Sequence, residues 1–351
     1  MAAIAINPAK NLLGRDLVGG WKIVEAVARN PYSSGGNFSS GYIAESKTGS
    51  RAYVKAMDLG ASLGETDPAR MINILTESFI FERDLLNACR SKKLNRVVTA
   101  IDNGRLGDTP NELVFYLVFE LADGDVRGRL SNLGRIDLAW NLRTLHHVST
   151  ALQQLHGLEI AHNDIKPSNV LLYRGRESKV GDLGRASVRG VLPPHEGFNI
   201  AGDKTYAPPE QLYGYVAADW GPRRLGCDAY LLGSLVLSLF TGFGMTHYIM
   251  SRLQPELRPG KWKGTYDEVL PFISHIVAGI LLDFERFVGA SCCGTLQRII
   301  TELCNPNPAE RGHPKDRSQA ANQYSLQRYV TEFDLLARKA NWMFSTNLET
   351  L

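Results

Sequence analysis

The chain is 351 residues long, enough for two domains or one domain of two lobes, and its 44% hydrophobic and 21% charged residues exclude a disordered, collagen-like or coiled-coil chain. Its 39 basic and 36 acidic residues leave a net charge of +3, too even a balance for a chain-wide nucleic-acid or anionic-membrane surface. The five cysteines, Cys89, Cys227, Cys292, Cys293 and Cys304, form no CxxC pair, so neither a disulfide framework nor a zinc site is expected and a reducing compartment fits best.

Residues 1–20 hold Lys10, Arg15 and Asp16 and lack the apolar stretch of a signal peptide. Short β-rich runs follow at Trp21 to Val24, Gly41 to Ala44 and Arg51 to Ala56, separated by Gly and Ser clusters that suit hairpins. From 68 to 90 the period changes, and Ile72, Leu75, Phe79, Glu82, Leu85 and Leu86 fall at helical spacing. Val97 to Ile101 and Leu113 to Phe119 read as two more strands, the second ending near Glu120-Leu-Ala-Asp-Gly124. Beyond this the chain is mainly helical, with expected helices at Leu138 to His156, Leu231 to Thr241, Tyr266 to Phe284, Thr295 to Cys304 and Leu326 to Trp342. The most apolar windows, Leu231 to Phe243 and Phe272 to Phe284, each run about 13 residues, short of the roughly 18 to 20 that cross a bilayer. They read as buried core helices, and the expectation is a cytoplasmic protein without membrane or nucleic-acid partners.

The most specific run is His162-Asn-Asp-Ile-Lys-Pro-Ser-Asn169, followed by Val170-Leu-Leu172. It resembles HRDxKPxN, the catalytic loop of eukaryotic-type protein kinases. The resemblance implies that Asp164 accepts or orients the proton of an attacking hydroxyl, Lys166 steadies the transferring phosphoryl group and Asn169 ligates Mg²⁺. Thirteen residues past Asn169 stands Asp182-Leu183-Gly184, similar to the metal-binding DFG motif with Leu for Phe, in which Asp182 would chelate Mg²⁺ and Gly184 would let the backbone turn. Gly202-Asp-Lys-Thr-Tyr-Ala-Pro-Pro-Glu210 resembles the end of the family's activation segment, with Asp203 for Thr and Pro208 for Ala. By the same resemblance Glu210 pairs with Arg311, and Asp228, opening a central helix, braces the backbone around His162.

Nearer the N-terminus, Ala52-Tyr-Val-Lys55 resembles the VAIK strand. This implies that Lys55 reaches the ATP phosphates and pairs with a carboxylate of the following helix, for which Glu82 fits better than Glu77 because Leu86 then falls at an apolar family position. Phe119 would be the gatekeeper, the backbone of Glu120 and Ala122 would meet the adenine edge, and Leu171 joins the nucleotide contacts. The glycine-rich loop maps onto Ser34 to Ser39, retaining one glycine at its place. Gly35, Gly36 and Gly41, with Phe38 at the aromatic position, either supply the backbone freedom that phosphate contact requires or form a plain hairpin turn. Tyr53 departs further, since the family has a small Ala over the adenine, and a strand bulge or a displaced nucleotide is implied.

The resemblance runs from about Trp21 to Pro314. It implies an α+β, bilobal protein-kinase fold: an N-terminal extension (1–20), a β-rich N-lobe (21–119), a hinge (120–125), a helical C-lobe (126–318) and a C-terminal helical extension (319–351). The implied activity is ATP- and Mg²⁺-dependent transfer of phosphoryl groups to Ser or Thr of a protein substrate, the residue type favoured by Lys166-Pro167. A pseudokinase scaffold with an impaired nucleotide site is the alternative; a small-molecule kinase of the aminoglycoside type would lack the Pro-Pro-Glu210 segment and its Arg311 partner. Asn163 replaces the HRD arginine that normally holds an activating phosphate. Control by a regulatory partner, by abundance or by the chain extensions is therefore expected instead, unless Arg185 or Arg189 substitutes.

Overall fold

A computed structural model of the chain describes residues 7–28, 38–107, 112–132, 137–174, 177–198, 200–288, 290–318 and 323–348. The fold is a mixed α+β arrangement, with a β-sheet N-terminal part and a helical C-terminal part. Two compact units divide it. The first comprises Met1–Asp123 with Asp182–Gly184 and Pro193–His195, and the second Gly124–Gly181, Arg185–Leu192 and Glu196–Leu351.

In the first unit, strands β1 (Trp21–Ala26), β2 (Ser39–Ser46), β3 (Arg51–Met57), β4 (Ala100–Leu106) and β5 (Val114–Glu120) form one antiparallel sheet in the order β1-β2-β3-β5-β4. Alternation along β3 sends Ala52, Val54 and Ala56 to one face, all fully buried, and Tyr53 and Lys55 to the other. The first face is closed by the chain start: Ala9, Leu12 and Leu17 join Tyr42, Val54 and Tyr116 in one core. Asn7 caps the short 3₁₀ turn Pro8–Lys10 and donates to Asp58 at 2.6 Å, while the Tyr42 hydroxyl donates to the Ala9 carbonyl at 2.7 Å. Residues 7–17 are therefore built into the sheet's packing.

The Lys55 face carries helix α1 (Pro68–Ser91), whose Asp67 side chain accepts from Arg70 N with Pro68 in the first turn. Phe79 of α1 lies 5.4 Å from the Phe115 ring of β5. Ile72, expected on the buried stripe, is instead exposed. The strand expected at Val97 to Ile101 also shifts: Val97 and Val98 are buried outside any strand, and β4 starts at Ala100 with a register irregularity at Ala100/Asp102. Pairing of β3 with β2 and β5 runs through Tyr53 without a shift, so the bulge inferred there from sequence is absent.

The second unit contains helices α2 (Val126–Asn132), α3 (Leu138–His156), α4 (Pro209–Leu212), α5 (Gly226–Thr241), α6 (Met245–Arg252), α7 (Tyr266–Phe284), α8 (Ala290–Leu303), α9 (Pro314–Arg317) and α10 (Gln327–Leu348). The small strands β6 (Gly124–Asp125), β8 (Val170–Tyr173) and β9 (Glu177–Val180) form a three-stranded sheet, and β7 (Ile160–Ala161) pairs with β10 (Ser187–Val188). Almost every residue of α5 is buried, which explains its apolarity on all sides. With the π-turn before it, this helical run extends to Gly221–Thr241, longer than the sequence suggested and apolar enough to span a membrane, but 89% of its most apolar window is buried inside the protein. It is the core helix of this unit, and α10 packs along α3 through Tyr329, Phe333 and Ala337 with Arg143 bonded to Asp334 at 3.1 Å.

Candidate active site

In the first unit, the β3 alternation that buries Val54 turns Lys55 toward α1, where Glu82 is buried one turn before Leu86. Lys55 Nζ lies 2.8 and 2.9 Å from the two Glu82 oxygens and 3.1 Å from Asp182 Oδ1. Glu77 is exposed and accepts from Asn73 instead. Burial disfavours the Lys55 ammonium, but Asp182 and Glu82 more than offset this and hold its pKa well above the usual lysine range. Asp182 has a left-handed backbone (φ 62°), a costly conformation for a non-glycine residue, while Leu183 is fully buried. A Cβ on Gly184 would stand 3.4 Å from Asp182 Oδ1 and 3.5 Å from Glu82 Oε2, so the backbone passes close to the carboxylates.

Phe119, Glu120 and Ala122 are half-buried at and just after the end of β5. Gly41 sits on β2 directly opposite Lys55, and Phe38 bonds through its carbonyl to Asp58 N at 2.8 Å. Gly35 and Gly36 lie outside the described residues.

In the second unit, the loop between β7 and β8 is buried and held from several sides. Asp228 accepts from the backbone N–H of His162 (2.8 Å) and Asn163 (2.7 Å), and His156 Nε2 lies 2.9 Å from the same carboxylate. His162 Nδ1 accepts from Asp164 N, which leaves the ring proton on Nε2 to be donated to the Gly181 carbonyl at 3.0 Å. The Asp164 carboxylate accepts from Asp203 N at 2.8 Å and from Asn169 Nδ2 at 3.0 Å, and Lys166 Nζ lies 3.1 Å from its other side. Leu171 follows on β8, half-buried.

Asp203, read from sequence only as a departure from Thr, is part of this constellation, since its Oδ2 lies 3.2 Å from Lys166 Nζ. Burial works against the Lys166 charge, yet Asp164 and Asp203 together raise its pKa. No local pattern links the two residues, which stand 37 apart in the chain. His156 is the other contributor missed, and its spacing from His162 carried no chemistry of its own.

Further along, Glu210 of α4 and Arg311 form a buried two-pronged pair at 2.7 and 2.9 Å, and Arg311 also donates to the Gly226 and Asn305 carbonyls at 3.0 Å each. Asn163, also left-handed (φ 60°), donates to the Ala161 and Arg185 carbonyls at 3.2 Å and to Ser187 Oγ at 3.0 Å, tying β10 to the loop.

In the second unit a fixed carboxylate beside a buried lysine suits proton acceptance, and in the first a lysine clamped by two acids suits the binding of anionic phosphate. A family model described as the protein kinase domain matches residues 35–320. The chain belongs to the protein kinase family. It is 32% identical over 119 residues to serine/threonine-protein kinase PknA of Mycobacterium tuberculosis, covering 34% of this chain and 26% of that protein. It is also 27% identical over 236 residues to serine/threonine-protein kinase H2 of Homo sapiens, covering 61% and 59%. With serine/threonine-protein kinase DCLK1 of Rattus norvegicus it shares 32% over 142 residues, or 39% and 30%. The chain thus spans less than two thirds of the length of each of these relatives.

Proposed function

We propose that the chain is a protein serine/threonine kinase that transfers the γ-phosphoryl group of ATP to a protein hydroxyl with the help of Mg²⁺. The observation that carries this reading is the Asp164 carboxylate, fixed by Asp203 N on one oxygen and by Asn169 Nδ2 and Lys166 on the other. Asp164 orients the acceptor hydroxyl and takes its proton as the new bond to phosphorus forms, and Lys166 offsets the negative charge that the transferring group carries. Lys55, kept cationic and positioned by Glu82, binds the α and β phosphates. The Asp182 carboxylate and the Asn169 carboxamide oxygen are hard oxygen donors of the kind Mg²⁺ takes; the Asn169 amide nitrogen is committed to Asp164, while its Oδ1 accepts a long bond from Ser168 Oγ at 3.4 Å. Mg²⁺ held there would neutralise phosphate charge and orient the transferred group.

The Lys166-Pro167 pair and the serine/threonine kinases among the relatives support a Ser/Thr acceptor over Tyr. A second reading, a binding module without catalysis, is favoured by Tyr53 at the nucleotide face, but under it the Lys55–Glu82–Asp182 cluster would have no work to do.

Transfer of labelled phosphate from ATP to a generic protein substrate tests the proposal. Asp164→Ala should lose more than a hundredfold in transfer, about 3 kcal/mol of transition-state stabilisation, while binding ATP within about threefold of wild type. Equal transfer by variant and wild type would overturn it.

A further inference from the structure

Tyr53 and Gly41 have traded volume. The two lie on the Lys55 face of the sheet, on neighbouring strands, in a diagonal relation: Gly41 pairs with Lys55 and Ile43 with Tyr53. A Cβ on Gly41 would stand 2.7 Å from Tyr53 Oη, 3.1 Å from Cε2 and 3.3 Å from Cζ. The outer edge of the phenol ring therefore lies across Gly41 instead of standing up from the strand, and any side chain at 41 would lift it. Tyr53 contributes nothing to the core on the opposite face, where Ala52, Val54 and Ala56 are fully buried; it is half-buried on its own face. Its cross-strand partner is Phe119, whose ring centre is 6.5 Å away.

We infer that Tyr53, laid over Gly41, is a stacking platform for the base of the bound nucleotide and sets a preference for purines. This rests on the ATP-binding reading above. A half-buried ring lying along a sheet can take a planar ligand against its face, and base–aromatic stacking grows with the area of the base, so a purine gains more than a pyrimidine. Lys55 stands two residues along β3 on the same face, a rise of roughly 7 Å along the backbone, so phosphates bound at the lysine continue from a base held at the ring. A ring that merely blocked the site would leave the Lys55–Glu82–Asp182 cluster idle and would not need a glycine beneath it.

Calorimetry with Mg·ATP, Mg·CTP, adenosine and Mg·tripolyphosphate tests this, with melting temperature as the folding control. Tyr53→Ala should weaken adenosine and ATP by at least tenfold, narrow the ATP-over-CTP preference by a similar factor and leave tripolyphosphate within twofold. Tyr53→Phe, which keeps the ring, should rescue adenosine binding to within about threefold of wild type. Gly41→Val should also weaken adenosine, by displacing the ring, and the Gly41→Val/Tyr53→Ala double variant should bind better than Gly41→Val alone, since the aliphatic side chain then fills the vacated space. Tighter or unchanged ATP binding by Tyr53→Ala would overturn the platform, and so would additive losses in the double variant. If wild type binds tripolyphosphate but no nucleotide, the ring is a plug: the platform fails while the phosphate reading of Lys55 stands. If adenosine behaves as expected but Asp164→Ala transfers like wild type, the platform stands and the catalytic reading fails.

Discussion

Lys166 serves two acids at once. Under the proposed function the Asp203 carboxylate, 3.2 Å away, would compete with the transferring phosphoryl group for the same ammonium, and the Asp203 N–H positions Asp164 whatever side chain the residue carries. Asp203→Thr keeps that backbone bond and removes the competing charge, so the transfer rate should rise a few-fold; a tenfold fall would show that the carboxylate holds Lys166 in place. The same change removes one of the two influences that raise the Lys166 pKa, so the alkaline limb of the pH–rate profile should move to lower pH, because the lysine loses its proton sooner. The acid limb, which reports carboxylates, should move far less. A second expectation concerns Ser187, which is 1% exposed and bonded to Asn163. The amide ties β10 to the loop without any phosphate, and Ser187 is closed to a modifying enzyme. Arg189, one alternative phosphate holder, is paired with Glu159 at 3.1 Å. Phosphatase-treated protein and Ser187→Ala should therefore keep activity within about threefold, and a loss above tenfold in Ser187→Ala would count against a phosphate-independent segment.

At the scale of elements, α10 shows what periodicity can and cannot reveal. The apolar stripe through Val330, Phe333 and Leu336 marked a helix, but the fully buried residues are Tyr329, Phe333 and Ala337, so the packed face is rotated from the one that hydrophobicity alone suggested. Val330 and Leu336 are only half-buried flanks. Because α10 covers α3, the helix that leads into β7 and the catalytic loop, Phe333→Ala should cost about 3–5 kcal/mol in urea unfolding. A cost below about 1 kcal/mol would mean that this helix is a detachable appendage. The strand shift at β4 has a different origin. Asp102-Asn-Gly104 reads as a turn, yet β4 is the edge of its sheet, where polar residues face water on alternate positions and burial falls on Ala100 and the intervening side chains only in part. α8 begins at Ala290, ahead of the expected Thr295, because Gly294 looks like a breaker in sequence and is tolerated within the helix. Motif residues were legible because their chemistry demands particular types at fixed spacing, whereas the choice of Glu82 over Glu77 rested on one indirect mark, Leu86 four residues on. The Asp203–Lys166 contact joins residues 37 apart, a separation over which no local pattern operates.

Across the whole molecule the five cysteines are free and buried. Burial pushes the Cys89 thiol up to about 11 from 9.0 and drives Cys227 and Cys304 higher still. Between pH 9 and 11 the unfolded chain releases thiol protons that the folded chain keeps, so stability is intact below pH 9 and falls as pH rises through this window. Urea midpoints at pH 8.5 and 10.5 should differ in that direction, and a thiol reagent at pH 8 should label the native protein slowly but all five cysteines in denaturant. Fast labelling of any one of them in the native state would contradict this burial.

Gly202 precedes Asp203 at the point where the segment's backbone runs against the catalytic loop. A Cβ there would collide with the Asn163 carbonyl oxygen and stand 2.8 Å from Asp164 Oδ1. Neither neighbour can retreat cheaply: the Asn163 backbone is anchored by Asp228, and the Asp164 carboxylate is held by Asn169 and Lys166. Selection for function among random alleles of this gene should therefore leave codon 202 encoding glycine alone.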